Sequence, residues 1–118
     1  MVSAVRGATV ALENSQEAIW QATAELLQEI VAKNAIVKDE VVAAFFTMTP
    51  DLDAAYPAYA ARRLGWTDVP LLGAQETPVP GMPARMVRVL LQIERPERAR
   101  LTPVYLRGTI ALRPDLAP

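Results

Sequence analysis

The sequence predicts an α+β fold: one mixed β-sheet with one long and one short helix. Three observations carry that reading. Five segments rich in aliphatic and β-branched residues are separated by turn signals. Between the first two lies a long stretch whose apolar residues recur at helical spacing. A short alanine-rich stretch after Thr49-Pro50-Asp51 supplies a second helix, and the order becomes β-α-β-α-β-β-β.

The first strand, residues 2–12, consists of small and β-branched residues apart from Arg6. Asn14 or Ser15 then caps the long helix, with Glu17 near its positive end. That helix runs to about Asn34. Ile19, Ala22, Leu26 and Ile30 form its apolar stripe, Leu27 and Val31 lie beside it, and Glu17, Gln21, Glu25 and Lys33 occupy the opposite side. VVAAFFTM, residues 41–48, is a near-continuous apolar run and reads as a buried central strand. The short helix tolerates Pro57 near its start and ends near Gly65.

Residues 69–76 form the third strand, and Pro78, Pro80 and Pro83 stiffen the loop after it. RMVRVLLQI, residues 85–93, alternates: Val87, Val89, Leu91 and Ile93 face one way, Met86, Arg88, Leu90 and Gln92 the other. ERPERAR is an exposed charged turn. The last strand, residues 103–112, sets Val104, Leu106, Ile110 and Leu112 against Tyr105, Arg107 and Thr109. Residues 112–118 are expected to be a mobile tail. One helical cover leaves the second face of the sheet to be buried elsewhere, which predicts a homo-oligomer.

With 118 residues, 52% of them hydrophobic and 21% charged, the chain is expected to be a single domain, 1–118, that closes one core. It contains no Cys and no His, which excludes thiol catalysis, a Ser-His-Asp triad and the usual zinc sites. We therefore expect no metal and no cofactor. No apolar run reaches the roughly 18 residues of a membrane span, and no secretory layout opens the sequence. The expectation is a cytoplasmic protein with no membrane partner.

Net charge is −1, but residues 1–60 carry three cations against eight anions and residues 61–118 nine against five. Ten of the twelve cations are Arg, the residue that grips carboxylates and phosphates bidentately. Near-neutral charge and few aromatics argue against nucleic acid. Arg6, Glu76 and Arg88 each occupy a strand where burial is intended, and Tyr105 adds a phenol on the polar side of the last one. These residues leave two accounts open. Glu76 forms a structural ion pair with an arginine, or one Glu against two Arg leaves a positive charge for an anionic guest.

VRGAT at 5–9, TPDLDAAYPAYAAR at 49–62, GWTDVPLL at 65–72, QE at 75–76, VRV at 87–89, VYL at 104–106 and LRPDL at 112–116 occur in one order along the chain. In these motifs the sequence resembles the small trimeric chorismate mutases of the AroH class, the type known from bacilli. The resemblance implies a trimeric pseudo-α/β-barrel, the rearrangement of chorismate to prephenate, and active sites between adjacent subunits. It further implies Arg6, Glu76, Arg88 and Tyr105 as core site residues. Arg62, with Tyr56 and Ala58, matches the segment lent by the neighbouring subunit, and Arg113 matches the tail that covers the site. Tyr59 stands where the family's familiar member has a lysine. Gly73 replaces a cysteine that helps hold the substrate hydroxyl. PGMPAR replaces a glycine- and lysine-rich turn, and the chain is one residue shorter before Gly65.

Within that resemblance, Arg88 faces the ether oxygen, Arg6 and Tyr105 the side-chain carboxylate, and Glu76 the ring hydroxyl. Two other classes stay open. One is a trimeric deaminase of enamines and imines, which also uses an arginine for a substrate carboxylate between subunits but does not usually pair Arg6 and Arg88 with Glu76. The other is a module that binds a dicarboxylate without converting it, which the same residues would serve.

Overall fold

A computed structural model describes residues 1–116. Its elements are β1 (Val2–Val10), α1 (Gln16–Asn34), β2 (Val41–Met48), α2 (Ala58–Arg63), β3 (Leu71–Gln75), β4 (Met86–Glu94) and β5 (Val104–Tyr105). They form one sheet in the order β3-β2-β4-β1-β5. Pairing is antiparallel at β2/β4 and β4/β1, and parallel at β3/β2 and β1/β5. The expected mixed sheet with one long and one short helix is therefore present.

Period-two alternation decides which side chains enter the core. Val5, Phe46, Val89, Leu91 and Ile93 point to one face and are buried against Leu26, Leu27 and Ile30 of α1. The helix starts where Ser15 Oγ accepts the Ala18 N–H at 3.1 Å, and it stops at Ala35, which adopts a left-handed φ of 49°. Gly7 allows α1 and β5 their close approach to β1. A Cβ there would stand 2.7 Å from Ile30 Cδ1 and 3.0 Å from the Val104 carbonyl oxygen.

Three expectations need correction. The centre of the sheet is β4, not β2: Val42 and Phe45 of β2 are exposed, because the apolar run of β2 serves two faces and only one is covered by helices. The last strand is two residues long. Arg107 (φ 54°) and Gly108 (φ 82°) are left-handed, which breaks the extended chain, and Thr109–Leu112 becomes a 3-10 turn. The charged turn after β4 is also not wholly exposed. Arg95 lies half-buried, forked onto Glu40, and it donates to the Asn34 and Ala35 carbonyls at the end of α1.

Of the expected tail, residues 112–116 complete that turn and form a second one at Pro114–Leu116, with Arg113 forked onto Asp115. Ala117 and Pro118 lie outside the described residues.

Candidate active site

The helix-free face of the sheet is where the odd charges gather. Cα partners across the strands place Leu72, Phe45, Leu90 and Arg6 in one row, and Ala74, Thr47, Arg88, Ala8 and Tyr105 in the next. Residues paired in this way share a face, so Arg6 and Arg88 are diagonal neighbours. Arg6, Arg88 and Tyr105 line one cavity of about 460 Å³, and Leu112 and Arg113 close one side of it.

Glu76 lies just past β3 with its backbone pinned by a 2.8 Å bond from its N–H to the Met48 carbonyl. Its side chain reaches over Thr47 to Arg88. Arg88 Nε donates to Glu76 Oε2 at 2.8 Å and Arg88 Nη2 to Oε1 at 2.7 Å, while Thr47 Oγ1 donates to Oε2 at 2.7 Å. Burial pushes the Glu76 carboxyl up, but the hydrogen bonds from Arg88 and Thr47 and the guanidinium charge outweigh it, and the net shift is down. The hydrogen bond to Glu76 raises Arg88 further, so its charge is permanent.

The ion pair exists, yet it occupies only the Nε/Nη2 edge of Arg88. A guanidinium carries five N–H donors, so three remain, on the Nη1/Nη2 end. The Arg88 side chain keeps 51% of its exposure and lines the cavity, whereas that of Glu76 keeps 9%. Glu76 is a largely buried brace and Arg88 the presented cation. With Arg113 paired to Asp115, the three cavity arginines face two carboxylates, and Arg6 forms no ion pair among the described residues.

The other expected site residues lie elsewhere. Tyr56, Ala58, Arg62 and Gly73 line a separate hollow of about 270 Å³ with Met48 and Leu71. Gly73 pairs with Phe46, a core-side position, so it faces away from the Arg88 side of the sheet. The Ala44 N–H bonds to the Pro70 carbonyl, and the Glu76 N–H to the Met48 carbonyl, so the even residues of β3 bond to β2. Parallel pairing then turns the Gly73 N–H and C=O toward the free edge. One chain thus brings together Arg6, Glu76, Arg88, Tyr105 and Arg113, and does not bring Tyr56, Ala58, Arg62 or Gly73 to them.

Sequence reasoning missed Thr47, whose β-branched side chain passed as apolar inside VVAAFFTM. Its alternation with Phe46 was the available signal. It also missed the fastening of α2. Tyr59 stacks on Trp20 of α1 with centroids 4.8 Å apart and planes at 33°, and the Arg63 guanidinium lies 4.7 Å from the centre of the Trp20 ring.

The model of one family, chorismate mutase type I, matches residues 2–116. The chain belongs to that family. Two relatives in it are named chorismate mutase AroH. The one from Thermus thermophilus is 47% identical over 98% of this chain and 97% of its own length, and the one from Bacillus subtilis (strain 168) is 36% identical over 99% and 94%. The solved chorismate mutase from Clostridium thermocellum superposes with a TM-score of 0.88 at 37% identity, covering 92% of this chain and 98% of its own. The sheet order and the two helices are thus those of a chorismate mutase fold. Among the described residues no cluster of acidic groups is arranged to hold a metal, and no helix is long and apolar enough to cross a membrane.

Proposed function

We propose that this protein, an isomerase of the chorismate mutase family, rearranges chorismate to prephenate in a site completed by the neighbouring subunit of a homotrimer. The observation that carries this reading is the outward end of Arg88, held from behind by Glu76, in a cavity with surplus positive charge. The reaction is a unimolecular Claisen rearrangement through a chair-like transition state. It needs no nucleophile and no proton carrier, which suits a chain without His or Cys. Two effects remain available: holding the enolpyruvyl arm over the ring, and stabilising charge as it separates.

As the C–O bond breaks, electron density collects on the ether oxygen. The free Nη1/Nη2 end of Arg88 donates to that oxygen, and the Glu76 brace spares it reorientation during the event. Arg6 and Tyr105 hold the side-chain carboxylate, and Arg113 closes over it. Glu76 accepts from the ring hydroxyl. A carboxylate offers about four acceptor positions; the three bonds from Thr47 and Arg88 leave one, on Oε1.

Substrate with two carboxylates demands more positive charge than one chain collects in this cavity. The hollow with Tyr56, Ala58 and Arg62 supports a neighbour's contribution, as does the uncovered apolar surface of Phe45 and Leu72. Arg62 then sits at the rim and acts on binding, while the free edge of β3 offers the Gly73 backbone to the substrate hydroxyl. A cytoplasmic location fits a chain without cysteine.

Loss of chorismate absorbance with formation of prephenate on adding the purified protein tests the reaction. Binding of a dicarboxylate with no turnover overturns it in favour of a sensing module, and release of ammonia from an enamine favours a deaminase. The shared site is tested by mixing at limiting chorismate, where Arg62→Ala is impaired in binding and Arg88→Ala in turnover: allowed to exchange subunits, the two proteins regain activity. Mixtures that stay inactive after proven exchange contradict a shared site.

A further inference from the structure

Thr47 has no role in the reading above beyond its bond to Glu76, yet its position is unusual. It is the Cα partner of Arg88 on one side and of Ala74 on the other, so it lies beneath the bridge that Glu76 makes to Arg88. Its hydroxyl and Arg88 Nε both donate to the same oxygen, Glu76 Oε2, at 2.7 and 2.8 Å. Two donors fill the two lone pairs of that oxygen. Oε1 receives a single donor, Arg88 Nη2.

We infer that Thr47 is a positioning residue for the rearrangement: by saturating Glu76 Oε2 it leaves Oε1 as the one place where a substrate hydroxyl can be accepted. The inference rests on the proposed reaction. Without the Thr47 hydroxyl, both Glu76 oxygens have an open acceptor position, and the carboxylate no longer distinguishes them. The substrate hydroxyl then meets two competing geometries, one of them displaced from the ring position that Arg88 requires. Ala74 cannot substitute as a donor, because its side chain carries none.

The experiment compares Thr47→Val, which keeps the β-branched shape on the strand, with Thr47→Ser, which keeps the hydroxyl. Each is assayed with chorismate and with the analogue bearing hydrogen in place of the ring hydroxyl. Thr47→Val is expected to lose about 10- to 100-fold in kcat/KM on chorismate, the range for a hydrogen bond to a charged group. On the deoxy analogue it should differ from wild type by less than about threefold, because Glu76 has nothing to accept there. Thr47→Ser should retain most activity on both.

An equal loss on the two substrates overturns the inference in favour of a structural role. So does an undiminished Thr47→Val, or a Thr47→Ser protein as impaired as Thr47→Val. Failure of the wild type to convert chorismate is a different outcome, and it overturns the reading on which the inference rests.

Discussion

The side chain of Glu76 shows how a single residue can be legible in sequence while its exposure is not. Its charge in a strand-bordering position marks it, but only the structure reveals that it is nearly buried while Arg88 stands open. The sign of its titration follows. Its carboxyl lies below the ordinary value of 4.5 because the donors from Arg88 and Thr47 outweigh desolvation. Stability from the Glu76–Arg88 pair is therefore fully present above that ordinary value and is lost as pH falls through the lower, folded one. We expect kcat/KM to stay level from neutrality down to about pH 5. An acid limb assigned to Glu76, by its absence in Glu76→Gln, should have its midpoint under 4.5; a midpoint above that value contradicts the brace. Arg6, which forms no ion pair among the described residues and feels Asp115 only at longer range, should behave differently. Arg6→Ala is expected to raise KM about tenfold or more with a smaller change in kcat, the signature of lost substrate binding.

At the scale of elements, two contacts hold the site in register. Gly7 is where β1, α1 and β5 meet, and a methyl group there meets the backbone oxygen of Val104 as well as two side-chain ends. Gly7→Ala should cost about 1–3 kcal/mol by overpacking, and should raise KM because β5, which carries Tyr105, moves outward. Denaturant titration and steady-state kinetics check both parts; an unchanged midpoint shows that the approach is looser than described. The short helix α2 has no side-chain hydrogen bond at its start, so its place depends on packing and on the Trp20–Tyr59–Arg63 stack. Trp20→Leu should destabilise the protein by about 1–3 kcal/mol and weaken substrate binding through the adjoining Arg62. Unaltered KM in a protein of lowered stability would separate the stack from the site.

For the whole molecule, the α+β class, both helices and four of the five strands were readable because each has its own period and turn chemistry. What escaped was governed by context. TIAL after Gly108 mimics a strand by alternation, but two successive left-handed residues turn it into a 3-10 turn. The apolar run of β2 signalled burial without revealing that one of its faces, with Val42 and Phe45, is left uncovered by the helices. Arg6, Glu76 and Arg88 were visible as charges that strands do not need. Tyr56, Ala58, Arg62 and Gly73 carried no such signal of their own and were proposed only by resemblance to the family. In the single chain they lie apart from the cavity that Arg88 lines.

The central claim is that a fixed guanidinium, braced by Glu76 and open at its far end, stabilises the oxygen released in the rearrangement. Its most direct test is kcat for Arg88→Lys at saturating chorismate, with thermal unfolding run alongside to establish that the variant is folded. An ammonium cannot both hold Glu76 through a fork and present a second donor edge. The account predicts a loss on the order of 10²–10³ or more, the scale of a missing oxyanion donor. A folded Arg88→Lys protein that turns over at nearly the wild-type rate would contradict it.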